Sequence, residues 1–220
     1  MEGERAVPSI VAFVGHSEAG KTTLIEKLIP ELKSRGYRVA TMKHAARENS
    51  LDEPGKDSWR HIQAGSEATI VNSRDRVMLI KPVAPDISLE EIAQLFGEDP
   101  DIILADGFKG SSVPKIEVHR KEIGPPLTDI KKLIAIATDE PLETKTRQFS
   151  LEDVEGIADF LEAGFIKPQG ERIALYINDE PITLTKFPKE IIANLLTAMA
   201  ASLKGPGKIN RLKLFIKKKE

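Results

Sequence analysis

The sequence predicts an α/β protein in which a doubly wound, mostly parallel sheet is followed by a small C-terminal α+β module. Three observations carry that prediction. Short apolar runs rich in β-branched residues alternate with segments of helical periodicity from Ser9 to Leu161, as strands joined by crossover helices do. A glycine-containing polar stretch lies between the first strand and the first helix, where an open parallel sheet places its binding loops. After Lys167-Pro168-Gln169-Gly170 the pattern changes to a hairpin, a helix and a further strand, which divides the chain at 1–167 and 171–220.

The elements follow in order. Ser9–Val14 is a short apolar run and reads as a buried strand. Residues 21–35 carry Leu24, Ile25, Leu28, Ile29 and Leu32 at helical spacing, with Pro30 expected to kink the helix and Gly36 to cap it. A strand over 38–43 and a polar loop over 44–56 come next, and Asp57 is placed to cap a helix reaching Ala64. Two short strands are expected at 68–71 and 76–80. Ser88 with Glu91 has the capping-box spacing that opens a helix over 89–96. Strands are expected at 101–106, Lys115–His119 and 133–137, and a helix starting from Ser150, with Asp153 three residues on, to Leu161. In the last fifty residues Ile173, Leu175 and Ile177 alternate as a strand, Asn178-Asp179-Glu180-Pro181 suits a turn, and Ile182 and Leu184 continue a hairpin. Ile191, Ile192, Leu195, Leu196, Met199 and Leu203 form one helical face, and Leu212, Leu214 and Ile216 alternate again.

Composition excludes several classes. With 220 residues, 40% hydrophobic and 30% charged, the chain has the make-up of a folded domain rather than of a disordered one. Lys and Arg number 32 against 34 Asp and Glu, a net charge of −2, so no global basic field draws nucleic acid or an anionic membrane. Cysteine is absent, which removes disulfides, thiol chemistry and cysteine-ligated metals. The acidic start and the lack of an apolar run near the ~20 residues of a membrane span lead to the expectation of a cytoplasmic protein.

Gly15-His16-Ser17-Glu18-Ala19-Gly20-Lys21-Thr22 fits G-x-x-x-x-G-K-[ST] in full, between a strand and a helix. The spacing has a physical reason: two glycines let the backbone curl so that its N–H groups converge on phosphate oxygens, and the helix N-terminus adds its positive end. Lys21 then meets the β/γ-phosphates and the Thr22 hydroxyl ligates Mg²⁺, with Thr23 completing the stretch, so the fold is that of a P-loop NTPase. The apolar run ending Ala105-Asp106-Gly107 supplies the second acid for the metal, Asp106. Thr138-Asp139-Glu140-Pro141 leaves two readings open: Asp139 accepts from guanine N1–H and N2–H₂, or it caps a turn. His16 stands where partition-type ATPases carry a second lysine, which argues against that class, and is placed at the pocket mouth rather than as a base. His44, His61 and His119 lack metal-ligand spacing.

Residues 11–33, Met42-Lys43-His44, Asp52-Glu53-Pro54-Gly55-Lys56-Asp57-Ser58, Gln63-Ala64-Gly65-Ser66 and Asp106-Gly107-Phe108-Lys109 together resemble the molybdopterin-guanine dinucleotide biosynthesis protein B (MobB) family. Ala137-Thr138-Asp139-Glu140-Pro141-Leu142 and 153–158 extend the likeness over about 9–163. The resemblance implies a homodimeric, slowly hydrolysing GTP-binding protein of molybdenum cofactor maturation. Its implied partners are the guanylyltransferase that joins molybdopterin to GMP, and beyond it molybdopterin or a molybdoenzyme. Two departures stand out. The family often has Glu where this chain has Asp106, and a His-rich run where this chain reads His44-Ala45-Ala46-Arg47. Residues 171–220 lie outside the likeness.

From the residues alone, 52–58 behaves as a switch segment in which Lys56 meets phosphate and Asp57 orients water or metal, the alternative for Asp57 being the helix cap. No catalytic glutamine or arginine finger stands out, which predicts slow hydrolysis. A small-molecule kinase would need a lid of arginines, and the spacing of Arg47, Arg60 and Arg74 does not suggest one. A third reading is a non-enzymatic adaptor whose C-terminal module binds a partner. The seven Lys and Arg after residue 200, against Glu220 alone, read best as a solvated, lysine-guarded edge.

Overall fold

Six parallel strands form the central sheet of the computed structural model, in the order Val39–Lys43, Ile102–Asp106, Ser9–Val14, Lys115–His119, Leu133–Thr138 and Arg147–Ser150. It describes residues 8–45, 52–97, 100–167, 175–177, 180–182 and 184–203, with 212, 214 and 216. The strands are β1 (Ser9–Val14), β2 (Val39–Lys43), β5 (Ile102–Asp106), β6 (Lys115–His119), β7 (Leu133–Thr138) and β8 (Arg147–Ser150). A separate antiparallel hairpin, β3 (Thr69–Asn72) with β4 (Val77–Ile80), lies between β2 and β5 in sequence. The helices of this part are α1 (Lys21–Ser34), α2 (Asp57–Gln63), α3 (Leu89–Gln94) and α4 (Val154–Leu161), the last running into a π-helical turn at Glu162–Ile166.

Alternate residues of each strand face opposite layers. Val11, Phe13, Ile102, Leu104, Ile116 and Val118 join Leu24, Leu28 and Leu32 of α1 and Ile157 and Leu161 of α4 in one cluster. Ile10, Ala12, Val14, Met42, Ile103 and Ala105 form a second with Leu89 and Ala93 of α3. Strands buried on both faces read as continuous apolar runs, which is why β1 and β5 are legible locally. α1 passes through Pro30 without interruption and ends in a Schellman motif. Gly36, at φ +89°, donates to Lys33 O at 3.0 Å, and Tyr37 donates to Leu32 O at 3.2 Å. Ser88 and Glu91 make the expected capping box at α3.

Three expectations are corrected. The sequence pattern does not predict β8, because Arg-Gln-Phe-Ser has one apolar residue; pairing with β7 forms it around the buried Phe149. Ser150 therefore ends a strand, and the cap of α4 is Asp153, whose carboxylate accepts from Gly156 N–H at 3.0 Å. Asp57 does not cap α2: Lys56 occupies that position in extended conformation, with no side-chain cap, and Asp57 opens the first turn.

The chain divides into two compact units, Val7–Pro168 and a second that takes in residues from Gln169 onward. In the second, β9 (Leu175–Ile177) and β10 (Glu180–Ile182) form a hairpin and α5 (Lys186–Ala201) is the helix. The turn at 178–179 and most of the expected last strand lie outside the described residues, as do Ile173 and the basic end of the chain; Leu212, Leu214 and Ile216 are exposed. No helix among the described residues is long and apolar enough to cross a membrane.

Candidate functional site

From β1 the chain runs out to β2 on one side, and from β6 it runs to β7 and β8 on the other. The crevice at the carboxyl ends of β1 and β6 is thus a topological switch point, where open α/β sheets bind ligands. Residues 15–20 occupy it. Gly15 is required by packing: a Cβ there would be driven into the Val118 carbonyl oxygen of β6 and would lie 3.3 Å from its carbon. Glu18 and Gly20 take left-handed conformations at φ +67° and +96°, curling the loop into α1. Ala19 is buried in the core and anchors the loop, whereas His16, Ser17 and Glu18 are exposed.

Lys21 folds back over its own loop, its Nζ donating to Gly15 O at 3.1 Å and to His16 O at 2.6 Å. Its charge is thereby held at the center of the loop curl. Thr22 Oγ1 donates to Asp106 Oδ2 at 2.7 Å across 84 residues of sequence. That contact follows from register, since Asp106 at the end of β5 is level with Phe13 on β1 and Lys43 on β2. Gly107 N–H donates to Phe13 O at 2.9 Å and His44 N–H to Asp106 O at 3.1 Å, which pins the three strand ends together. Lys43 Nζ stands 3.6 Å from Asp106 Oδ2. A threonine hydroxyl beside one carboxylate is an oxygen donor set of the kind Mg²⁺ takes when phosphates and water complete its shell. Among the described residues no three His, Asp or Glu side chains cluster as a protein-only metal cage. Thr23 is exposed on the first turn of α1.

Other expected residues sit elsewhere. Lys56 pairs with Glu53 at 2.8 Å and Asp57 with Arg60 at 3.6 Å, and no hydrogen bond or ion pair among the described residues ties either to the loop over 15–22. His16 Nε2 lies 3.0 Å from Pro125 O, tying the loop to the segment after β6. Asp139, just beyond β7, accepts from Lys121 N–H at 2.9 Å through Oδ1. Its Oδ2 is 3.9 Å from Arg120.

Arg120 itself escapes sequence reasoning. It follows β6, and its Nε and Nη2 lie 3.5 and 3.6 Å from where a Gly20 Cβ would stand, so its guanidinium lies against the end of the loop before α1. No local motif marks it; only the order of the strands brings it there.

The face of β6 opposite α1 carries Lys115, Glu117 and His119, all buried. Lys115 Nζ donates to the carbonyls of Ser111, Val113 and Lys131 at 2.6, 3.0 and 3.2 Å, stapling the loop that follows Asp106; burial pushes its pKa down. Glu117 accepts from Leu127 N–H at 2.6 Å. His119 Nε2 lies 3.1 Å from Glu140, and this contact, with Lys121, holds the Glu140 carboxyl below the usual range. These are positioning contacts for the loops around the crevice.

The family model described as "Molybdopterin guanine dinucleotide synthesis protein B" (MobB) matches residues 10–139, more than half of the chain. The chain belongs to the MobB family. It is similar to a molybdopterin-guanine dinucleotide biosynthesis adapter protein of Haemophilus influenzae, with 39% identity over 155 residues, 70% of this chain and 87% of that one. The Escherichia coli K12 adapter protein is 36% identical over 176 residues, 77% of this chain and all of that one. Among solved structures, a crystal structure of molybdopterin-guanine biosynthesis protein B aligns at TM-score 0.57 and 28% identity, covering 70% of this chain and 98% of that one. A MobB homologue from Bacillus stearothermophilus aligns at TM-score 0.52 and 26% identity, covering 70% and 95%. Residues 15–22, Asp106 and Asp139 all fall within the MobB match.

Proposed function

We propose that this chain is a GTP-binding adapter of molybdenum cofactor biosynthesis. It would assist the conversion of molybdopterin to molybdopterin guanine dinucleotide, with slow Mg²⁺-dependent hydrolysis. The observation that carries it is the convergence of Lys21, Thr22 and Asp106 at the switch point of a MobB-family sheet. The amides of Gly15 to Thr23 and Lys21 Nζ hold the phosphates, Lys21 exchanging its loop carbonyls for phosphate oxygens. Thr22 and Asp106 hold Mg²⁺. Gln148, on β8, is committed to the fold through its bond to Leu142 O at 2.7 Å. Lys56 and Asp57 join from the entry to α2. Their present surface pairs are worth at most about 1 kcal/mol, so phosphate competes for Lys56 at small cost. Asp139 reads guanine by exchanging Lys121 N–H or Arg120 for the base edge.

Calorimetric titration of GTP and ATP with Mg²⁺ tests this on the wild type, Lys21→Ala and Asp139→Ala. GTP should bind more tightly than ATP, Lys21→Ala should abolish binding, and Asp139→Ala should erase the preference. Equal or tighter ATP binding would sink the guanine assignment.

The adaptor side of the reading has two supporting surfaces. Phe187, Ile191, Leu195, Met199 and Leu203 repeat every four residues along α5 and its end, and all are exposed. This stripe is where a guanylyltransferase or molybdoenzyme docks, and removal of 169–220 should cost partner binding while GTP affinity persists. Ile70, Val77 and Leu79 share one exposed face of the β3–β4 hairpin, and a lone two-stranded hairpin is marginal in water. A second copy of the chain covers it in a homodimer. Val77→Lys with Leu79→Lys should give a monomer by light scattering, and a dimer unaffected by both would exclude the hairpin as the interface.

A further inference from the structure

Three strand ends meet on the α1 side of the sheet. Lys43 on β2 is level with Asp106 on β5, and Asp106 with Phe13 on β1. Side chains of registered neighbors share a face. Alternation along β2 sends Met42 into the cluster around α3 and Lys43 to the other face, with Val39, which packs on the cluster around α1. Lys43 therefore faces the same side as Thr22 of α1. The two reach one carboxylate oxygen, Asp106 Oδ2, from opposite flanks, because β5 stands between β1 and β2. Thr22 Oγ1 is 2.7 Å from it and Lys43 Nζ 3.6 Å.

The two contacts differ in kind. The hydroxyl makes a hydrogen bond, whereas the ammonium stands beyond hydrogen-bond length and makes only a charge contact. The Asp106 side chain is 13% exposed and that of Lys43 71%, so Lys43 leans on the carboxylate from solvent. Such a pair holds weakly, and the flexible four-carbon stem lets the charge move to a better partner. The nucleotide reading gives the crevice a direction. Asp139 lies just beyond β7, the loop over 15–22 follows β1, Asp106 ends β5, and β2 is the next strand outward. With the base at Asp139 and the metal at Thr22 and Asp106, the phosphate chain runs toward β2. Its terminal phosphate is then the group nearest Lys43, while Arg120, after β6, stands at the base end.

We propose that Lys43 is the residue by which this chain tells a nucleoside triphosphate from a diphosphate. In the free chain Lys43 pairs with Asp106, and in the triphosphate complex its Nζ donates to oxygens of the terminal phosphate. Lys43 cannot share Asp106 Oδ2 with a dication without repulsion, and a phosphate dianion is a stronger partner than the carboxylate, so both effects move it the same way. A diphosphate ends short of Lys43 and gives it no such partner. Lys21 does not make the distinction alone, because it is held at the center of the loop and meets the β-phosphate that both nucleotides carry. The inference rests on the nucleotide reading and adds to it a contact from outside the G-x-x-x-x-G-K-[ST] stretch.

GTP and GDP are titrated calorimetrically, each with Mg²⁺, into the full chain and into Lys43→Met and Lys43→Arg. Lys43→Met keeps the length of the stem and removes the charge. It should weaken GTP about tenfold or more, as loss of a charge-assisted contact does, and move GDP by less than about twofold. Lys43→Arg should restore most of the GTP affinity, since a guanidinium at that place also pairs with phosphate. Both variants should melt near the wild type, the side chain being exposed. Equal losses for GTP and GDP would overturn the inference and reduce Lys43 to a brace for Asp106. A GTP affinity indifferent to Lys43→Met, or an arginine variant as weak as the methionine one, would count against it equally. In each of these cases the wild type still binds GTP and the nucleotide reading stands. A wild type that binds neither nucleotide would overturn that reading, and the inference with it.

Discussion

Gly15→Ala drives a new Cβ into the backbone of β6 at the site. The added Cβ falls inside 3.0 Å of the Val118 carbonyl oxygen, a separation that such atoms essentially never show, and it meets backbone on a buried strand rather than a side chain that could swing aside. Relief requires β6 or the loop to shift by several tenths of an ångström. Overpacking of this kind costs about 1–3 kcal/mol. For a chain of this length 1 kcal/mol is worth about 2–4 °C, so Tm should fall by about 2–12 °C. A shift of the loop carries its Gly15 carbonyl, 3.1 Å from Lys21 Nζ, with it, so GTP affinity should drop about tenfold or more. Gly36→Ala is the matched control: φ is +89°, but a Cβ there has nothing within 4 Å. Only the left-handed penalty of about 1–2 kcal/mol remains, with GTP affinity unchanged. Differential scanning calorimetry and GTP titration on both variants decide it. A Gly15→Ala protein as stable as the wild type, binding GTP as well, would refute the steric argument.

Asp106→Asn keeps the shape of the contact with Thr22 but removes the charge that the proposed Mg²⁺ would meet, so GTP affinity in Mg²⁺ should fall about tenfold while affinity in chelator changes little; equal losses in both would argue against a metal role. Arg120→Ala should weaken GTP about tenfold and leave Tm near the wild-type value, since Arg120 is partly exposed along the loop; unchanged affinity would reduce Arg120 to a brace. Glu162 is held at about pH 2 by Lys167 first, then Tyr37 and Arg35, well below its ordinary 4.5. A depressed carboxylate stabilises above its ordinary pKa and loses that contribution as pH falls through its folded value. The Tm gap between wild type and Glu162→Gln should therefore be full at pH 6 and close between pH 4.5 and 2. A gap independent of pH would mean that the four side chains joining α1 to the end of α4 act through packing.

Signals confined to a few neighboring residues were readable in the sequence. β1 and β6 fall at the expected bounds, the capping box opens α3, and the Gly15–Gly20 stretch lies between strand and helix. Each is a short-range steric or hydrogen-bonding demand, so the residues that meet it stand next to one another. The same holds for Thr22 and Asp106 as types, an alcohol after Gly-Lys and an acid ending an apolar run. The MobB likeness extended this, because the loop motifs around Pro54 and Phe108 are specific in themselves.

What escaped was decided across strands. β8 exists because β7 offers it an edge, and Arg147-Gln148-Phe149-Ser150 carries no apolar run to announce that. Nothing next to Asp139 in sequence announces that Lys121 N–H donates to it; the adjacency of β6 and β7 brings the two together. Arg120 reaches Gly20 through the adjacency of β1 and β6, which lie more than a hundred residues apart in sequence, and Lys115 became a staple because three carbonyls from two loops converge on it. Local chemistry is written in consecutive residues by backbone sterics and capping. The partner of a long polar side chain depends on strand order, and burial of the whole sheet selects that order.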